Sequence, residues 1–493
     1  MNYSIVLPES LNDKLKNHLI RKDHQEDLCF ALYSLSTGNL RISGIINDII
    51  LPEDLDRNVH GNVSFNPKFF DKVTQRALQE KKGIVFIHSH PSKGWQSMSN
   101  DDINTENMLA PRVKGVTNLP LIGMTIGTDG TWSGRFWNKL KPKTYNCDWC
   151  ESVRVVGRKL SFSINEKLSD VSIFKEVFER TLSAWGENQQ LKISKLKVGI
   201  VGIGSVGSQL AESLLRTGVQ DITLIDFDII QRKNLDRLHG VRPTDVGCLK
   251  TETYARMLNE YKLYDSQKIK SVPYSIVEET GFNAAVDCDI IFCCVDRPWP
   301  RFVLNHLSYA CLIPVIDGGI DSSINKYRTN IEQARWRTYT ISPGRRCMKC
   351  MGQYKPEDVS LEQSGLLEDQ SYIKGLPEDH FSKRGENVYA FSLALAGLQM
   401  QQFLSYVLSP KGVFYGAKEM DFITGNIDFD FKFTCDDDCE LTNMIGMGDS
   451  VKGFLIQEHQ IAAEMRQKAL CIQKTAPNFS ILKLLIKFFK MKL

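Results

Sequence analysis

The chain has no uncharged apolar run near the ~20 residues that a membrane-spanning helix needs. Its start, Met1-Asn2-Tyr3-Ser4-Ile5-Val6-Leu7-Pro8-Glu9, lacks the basic stretch and apolar core of a secretory leader. Together these absences predict a cytoplasmic protein with no membrane span. An excess of one charge is missing too. Lys and Arg number 61 against 58 Asp and Glu, a net charge of +3, so no nucleic-acid partner is expected. There is no internal repeat and no low-complexity segment. Residues are 42% apolar, 10% aromatic and 24% charged, which excludes a disordered or collagen-like chain. Without a leader, the thirteen cysteines read as reduced thiols or metal ligands rather than disulfides.

What is present divides 493 residues into four stretches. Residues 1–148 include Leu121–Trp132, read as a strand, a turn at Asp129-Gly130 and a second strand. Residues 149–192 form a charged connector, helical in spacing around 174–185. Residues 193–450 alternate β-branched strands with amphipathic helices, the pattern of a parallel α/β sheet. Residues 451–493 read as a basic helical tail with Lys483, Lys487 and Lys490 on one face, expected to pack on the body or a partner subunit, with membrane-surface binding as the alternative.

In the first stretch an apolar strand, Ile84-Val85-Phe86-Ile87, runs into His88-Ser89-His90-Pro91. Residues i and i+2 of a strand share a face, so His88 and His90 can reach one metal ion. Asp102, in Ser99-Asn100-Asp101-Asp102, is the expected third ligand, with Asp101 as the alternative if the register slips. Two His and one carboxylate leave a tetrahedral zinc one open position, the arrangement of a catalytic site. His-Ser-His-Pro with a downstream Ser-x-x-Asp resembles the JAMM (JAB/MPN) metalloproteases. The resemblance implies a zinc held by His88, His90 and Asp102. It implies Glu26 as the base, at the family's Glu position on an early strand, and Ser99 as a holder of the tetrahedral oxyanion. Family members cleave isopeptide or peptide bonds after ubiquitin-like proteins. One departure is the gap of eight residues between His90 and Ser99, where the family has seven. It leaves open a metal-free domain that only docks a partner.

In the third stretch Gly202-Ile203-Gly204-Ser205-Val206-Gly207 follows the strand Lys197–Val201, and Asp226 stands nineteen residues past the last glycine. That is a nucleotide-binding pattern: glycines let phosphates approach, and the acid binds ribose. Asn234, Arg237 and Lys250 follow. The cations Arg237 and Lys250 suit an enzyme that splits ATP better than a dehydrogenase, because they stabilise charge on phosphate oxygens. Asp296, ending the apolar strand Ile290–Val295, is a candidate magnesium ligand. Residues about 180–445 resemble the ThiF/HesA/MoeB family, the adenylating fold of ubiquitin-activating enzymes, with Leu238 where that family usually has Gln. The resemblance implies that Gly202, Gly204, Gly207, Asp226, Asn234, Arg237, Lys250 and Asp296 bind ATP or Mg2+. It further implies that Arg180 reaches the ATP of a second protomer in a homodimer.

Cys347-x-x-Cys350 and Cys435-x3-Cys439 suit a closed structural zinc site of four cysteines. The crossover stretch from Met351 to Thr434, where compact activating enzymes carry a thioester cysteine, contains none. Its acidic part Gln353–His380 reads as a mobile loop. Cys248 and Cys471 are the remaining, remote thioester candidates, and Cys147-Asp148-Trp149-Cys150 lacks the context of a redox motif.

The expected fold is therefore α/β: a JAB/MPN-like domain, then a ThiF-like Rossmann-type doubly wound sheet with a four-cysteine zinc site. The expected function is bifunctional, in a bacterial ubiquitin-like pathway: a zinc (iso)peptidase acting after the partner's C-terminal Gly, and ATP-dependent adenylation of that C-terminus. The expected cofactors are ATP, Mg2+, and catalytic and structural Zn2+. The expected partners are a ubiquitin-like or sulfur-carrier protein with a C-terminal Gly, and a conjugating enzyme. The alternatives are adenylation alone for thiocarboxylate formation, with a docking JAB domain, and an NAD-dependent oxidoreductase.

Overall fold

A computed structural model describes residues 1–60, 62–168, 175–324, 330–377, 380, 387–411 and 416–475, without the side chains of 62 and 471–475. The Lys483, Lys487 and Lys490 face therefore lies outside the described residues, as does the Cys471 side chain.

The N-terminal part is built from β1 (Asn2–Pro8), β2 (Leu28–Thr37), β3 (Arg41–Ile50), the hairpin β4 (Arg57–His60) and β5 (Asn62–Phe65), β6 (Gly83–Ser89), β7 (Leu121–Ile126), β8 (Trp132–Lys141), β9 (Thr144–Trp149), β10 (Ser152–Val156) and β11 (Leu160–Ile164). Nine of them form one sheet in the order β11-β10-β1-β3-β2-β6-β7-β8-β9. The strand–turn–strand reading of 121–132 is met by β7 and β8. The connector reading is not met at its start. Residues 152–156 and 160–164 are strands, and β10 pairs parallel with β1. Their alternating Val and Ser side chains carry a period of two, and the first α-helix of this stretch among the described residues is Glu179–Trp185. The sheet thus runs sixteen residues beyond 148, to Ile164.

β6 is central. It is apolar, fully buried, and bonded on one side to β2 and on the other to β7. The helix Asn100–Thr117 lies against the sheet through a buried Glu106, which takes Arg135 and the Trp137 indole N–H as partners. A Cβ at Gly123 would strike that carboxylate at 2.2 Å, so the glycine sets how closely the helix sits.

The second sheet comprises β12 (Lys197–Val201), β13 (Asp221–Ile225), β14 (Lys268–Val272), β15 (Ile290–Cys293), β16 (Val315–Ile324), β17 (Ile331–Ile341), β18 (Ala417–Asp421) and β19 (Ile427–Asp430). Its order is β14-β13-β12-β15-β16-β17-β18-β19, parallel up to β16 and antiparallel beyond. Helices between the parallel strands supply the crossovers such pairing requires. The first five strands have the doubly wound order, whose reversal between β12 and β15 opens a crevice at the strands' carboxyl ends.

The two sheets are locked together. Arg41 is buried and reaches Asp289 and the carbonyls of Val286 and Cys288, while Asp287 accepts the backbone N–H of Leu40 and Arg41. From the other end, Asp449 accepts Thr37 N–H at 2.9 Å and Lys452 donates to the Thr37 carbonyl. A buried charge stripped of its partner is destabilising by about 3–5 kcal/mol, so Arg41 and Asp289 favour one fixed arrangement. No helix among the described residues is long and apolar enough to cross a membrane.

Candidate functional site

β6 delivers His88 and His90 to one face, as their spacing implies. Their Nε2 atoms lie 3.1 Å apart. Asp102 completes the group, its two oxygens 3.0 Å from His88 and 3.2 Å from His90. All three ligand atoms fall within 4.8 Å of one another, a fit for one metal ion. Asp101 is exposed and outside the group, so the register has not slipped. The longer His90–Ser99 gap is absorbed by an ordered loop, where Gly94 N–H bonds Asp129 and the buried Gln96 amide caps the Lys93 and Gly94 carbonyls.

Ser99 caps the helix Asn100–Thr117. Its Oγ accepts Asp102 N–H at 3.1 Å, and Asp102 accepts Ser99 N–H at 2.7 Å. The Ser-x-x-Asp spacing is therefore a capping box that also aims the carboxylate at the histidines. The His88 and His90 contacts outweigh burial and hold the Asp102 carboxyl far below the usual range.

Glu26 lies not on a strand but two residues before β2 begins. Burial raises its pKa, against the opposing pull of His90 and His88. That suits a carboxylate that accepts a proton. Its loop is clamped by residues that sequence reasoning missed. Asp27 N–H donates to Ser89 Oγ at 2.9 Å, and Ser89 N–H returns a bond to the Asp27 carbonyl at 3.0 Å. The Asp27 carboxylate, 1% exposed, is gripped by Arg57 at 2.6 Å and Arg21 at 3.1 Å. The signal was present: an Asp between Glu26 and an apolar strand, and a Ser between two histidines.

In the second sheet the three glycines serve three ends. Gly202 turns with φ +92°, where a Cβ would meet the Cys294 carbonyl at 2.7 Å. Gly204 faces open space, and Gly207 packs against the Gly202 carbonyl. The loop feeds the N-terminus of the helix Gly207–Thr217, an anion-binding position. Asp226, just past the end of β13, accepts Ile203 N–H at 2.6 Å and Asp228 N–H at 2.8 Å. Lys250 begins the helix Lys250–Glu260 and reaches Asp228 at 2.8 Å and Asp226 at 3.8 Å. Burial opposes its charge, but Asp226 and Asp228 outweigh burial and keep it protonated.

Asn234 caps the short turn Arg232–Asn234 through Gln231 N–H, and Arg237 bonds the Lys233 carbonyl and Asp236. Asp296 does not end a strand: β15 stops at Cys293, and Asp296 lies in the loop before the helix Pro298–Ala310. It is close enough to add to the positive bias of Lys250. Arg180 is exposed, two residues after Phe178, which packs on Gly218 at the far end of the helix Gly207–Thr217. Eleven residues of helix, roughly 16 Å, separate that end from the glycine loop. Arg180 is therefore not brought to this chain's own loop. Leu238 is buried, so an apolar residue fits where the family's Gln stands.

The Cys347, Cys350, Cys435 and Cys439 sulfurs all lie within 4.8 Å of one another. Cys435 Sγ accepts Cys347 N–H at 3.3 Å, Cys347 Sγ accepts Cys350 N–H at 3.4 Å, and Cys350 Sγ accepts Asp436 N–H at 3.5 Å. Such N–H donors suit thiolates that ligate a cation. The hydrogen bond between Cys347 and Cys435 favours one thiolate in the pair, lowering Cys435 and raising Cys347. The crossover after this pair is not irregular throughout: 356–363 and 370–375 are helices, and Glu362 accepts Trp299 N–H at 2.8 Å. Burial raises the Cys248 thiol and lifts Cys147 to about 12, so neither is an activated nucleophile.

The ThiF family model matches residues 178–431, the crevice and its loops included. This chain belongs to the ThiF family. Among curated relatives, this ThiF-family chain is similar to "Adenylyltransferase and sulfurtransferase UBA4" of Meyerozyma guilliermondii, 32% identical over 131 residues, 26% of this chain and 30% of the relative. The protein of that name from Debaryomyces hansenii is 30% identical over 129 residues, covering 26% and 28%. The matched region thus spans under a third of these two relatives' length. Among solved structures, Escherichia coli MccB with ATP aligns over 54% of this chain and 74% of its own, at 19% identity and a TM-score of 0.40.

Proposed function

We propose that this chain adenylates the C-terminal glycine carboxylate of a ubiquitin-like or sulfur-carrier protein, and that its N-terminal part is a JAB/MPN-type zinc hydrolase of bonds to that same carboxyl group. The observation that carries the adenylating reading is the convergence of the glycine loop, Asp226 and Lys250 at the carboxyl edge of a doubly wound sheet. Phosphates would lie on the loop and helix N-terminus, with the ribose on Asp226. The partner's carboxylate oxygen attacks the α-phosphorus. The bond to the β-phosphate breaks, pyrophosphate leaves, and an acyl-adenylate remains. Lys250 and Arg237 stabilise the charge that gathers on the phosphate oxygens. Asn234 orients the nucleotide, and Asp296 would hold Mg2+. Arg180 would act on the site of a second protomer in a homodimer. An NAD oxidoreductase has no use for Lys250 among three carboxylates.

In the N-terminal part His88, His90 and Asp102 would hold a zinc ion, which supplies Lewis-acid activation of water. Glu26 accepts the proton of the attacking water and passes it to the leaving amine. Ser99, whose oxygen is used as a cap, keeps its own O–H to donate to the oxyanion. The loop that carries Glu26, clamped by Asp27 onto Ser89 between the two histidines, favours hydrolysis over a docking-only role. The four cysteines would hold a second, structural zinc. With no activated cysteine outside that cluster among the described residues, the acyl-adenylate passes to a separate acceptor: a conjugating enzyme or a sulfur donor.

ATP–pyrophosphate exchange dependent on a glycine-ended carrier tests the first half. Lys250→Ala is expected to lower it at least about a hundredfold, the scale of one lost electrostatic stabiliser. Exchange without any carrier, or undiminished in the variant, would refute the assignment.

A further inference from the structure

The adenylation proposed above has no use for a general base, because the attacking carboxylate, with an ordinary pKa of about 3.5, is already ionised at neutral pH. Yet a carboxylate, an imidazole and a phenol stand in one chain of hydrogen bonds next to the glycine loop. Glu212, on the helix Gly207–Thr217, lies 2.8 Å from His239 Nε2, and His239 Nδ1 lies 2.8 Å from Tyr389 Oη. Burial opposes the charge of Glu212, but Arg216 and His239 outweigh burial and hold the carboxylate ionised. An ionised carboxylate only accepts, so Nε2 of the neutral ring carries the hydrogen and Nδ1 is left to accept the phenol O–H. A nucleophile on a base, and the base on an orienting acid, is the arrangement that activates a weak nucleophile.

The relay is tied to the loop and helix that would receive the phosphates. His239 stands two residues past Arg237. Its N–H donates to Ser208 Oγ at 3.3 Å, in the first turn of the helix Gly207–Thr217, and its carbonyl accepts the Tyr254 O–H at 2.6 Å. Asn387, two residues before Tyr389, donates from its amide to Ser205 Oγ in the glycine loop at 2.9 Å. Ser392 Oγ donates to the Asn387 side-chain carbonyl at 3.1 Å and fixes which end of that amide faces Ser205. Tyr389 opens the helix Tyr389–Leu408 and is 37% exposed. Five residues of helix, about 7.5 Å, separate Gly207 from Glu212, so the relay lies along the first turns of the helix whose N-terminus is the anion-binding position.

We propose that Tyr389 is a self-adenylylation site, whose phenol oxygen takes the adenylyl group of bound ATP when no carrier is present. This rests on the nucleotide reading above. A phenol, with an ordinary pKa of about 10, keeps its proton at neutral pH and needs the base that a carboxylate does not. Tyr389 Oη attacks the α-phosphorus. The bond from that phosphorus to the oxygen bridging to the β-phosphate breaks, and pyrophosphate leaves. The phenol proton passes to His239 Nδ1, and Glu212 stabilises the resulting imidazolium through Nε2–H. The product is a phosphodiester between the tyrosine oxygen and AMP. Carrier and tyrosine then compete for one adenylyl group at one phosphate loop.

The test incubates the full chain with Mg-ATP labelled at the α-phosphate and with no carrier, denatures it, measures the retained label and locates it by peptide mass spectrometry. Label on Tyr389 is expected, with none retained from ATP labelled at the γ-phosphate. Tyr389→Phe should lose the label. His239→Ala should slow its uptake about 10²–10⁴-fold, with imidazole in the buffer restoring part of the rate, which it would not do for a role confined to packing. Both variants should bind Mg-ATP within about twofold of wild type. A wild-type chain that binds no Mg-ATP would refute the nucleotide site, and this proposal with it. A wild-type chain that binds Mg-ATP but retains no α-label, or retains it on another residue, overturns self-adenylylation alone. Label undiminished in either variant, or retained from the γ-phosphate, overturns it as well. The wild-type peptide carries the assignment, so a variant that fails to fold leaves the test decisive.

Discussion

The Cys347–Cys350–Cys435–Cys439 group and the His88–His90–Asp102 group are both suited to one metal ion, yet they differ in how many ligands they offer and from how far apart in the chain. The cysteines offer four ligands, two from each of two segments more than eighty residues apart, and backbone N–H groups line their sulfurs. Every coordination position of a tetrahedral ion is filled by protein. The histidine group offers three ligands from within fifteen residues, with the separate carboxylate Glu26 beside it. Closing a long loop contributes to folding, whereas leaving a position open contributes to chemistry. On the proposed reading, the ligand count, more than the metal, is what would tell a staple from a reaction site.

The contrast is most sharply broken by metal analysis joined to melting. Cys347→Ser should lose one of two zinc ions per chain and lower Tm by at least about 10 °C, because structural zinc binding is folding free energy. His88→Ala should also lose one zinc but shift Tm by no more than about 3 °C, because the sheet around it is held by its own apolar core. Equal melting losses would erase the distinction. Next in size, Glu26→Gln should keep both zinc ions and lower hydrolysis of a C-terminally extended ubiquitin-like protein about 10²–10⁴-fold. A loss of zinc there would make Glu26 a ligand. The smallest effect belongs to Ser99→Ala. It removes a helix cap for about 1 kcal/mol and releases the Asp102 orientation, weakening zinc about 10–100-fold. Zinc affinity equal to wild type would confine Ser99 to the helix.

How legible these sites were depends on how local they are. The histidine pair, the glycine loop and the cysteine pairs are spacings of two to five residues, and the structure brings each together. Asp102 was legible because a Ser-x-x-Asp box fixes its direction. The clamp on Glu26 was not, since Asp27 and Ser89 meet only through sheet register, sixty-two residues apart. The strands Ser152–Val156 and Leu160–Ile164 fall inside the stretch that reads as a helical connector, because they are short. Their strand state is set by pairing with β1 and with each other. The acidic crossover reads as mobile, but part of it folds as the helices 356–363 and 370–375, the first tied to Trp299 through Glu362.

By itself the sequence determined the chemistry available: two groups of residues able to ligate a metal, a glycine-rich loop with an acid nineteen residues beyond it, and the absence of a crossover cysteine. These rest on residue type and on backbone geometry over a few bonds, which neighbours in sequence fix. Only the tertiary structure decided which carboxylate faces the histidines, that Arg41 and Asp289 lock the two sheets, that Arg180 stands away from its own chain's loop, and that Glu212, His239 and Tyr389 meet in one chain of hydrogen bonds. Those outcomes follow from burial and hydrogen-bond satisfaction between segments far apart in the chain, where no local pattern holds the information.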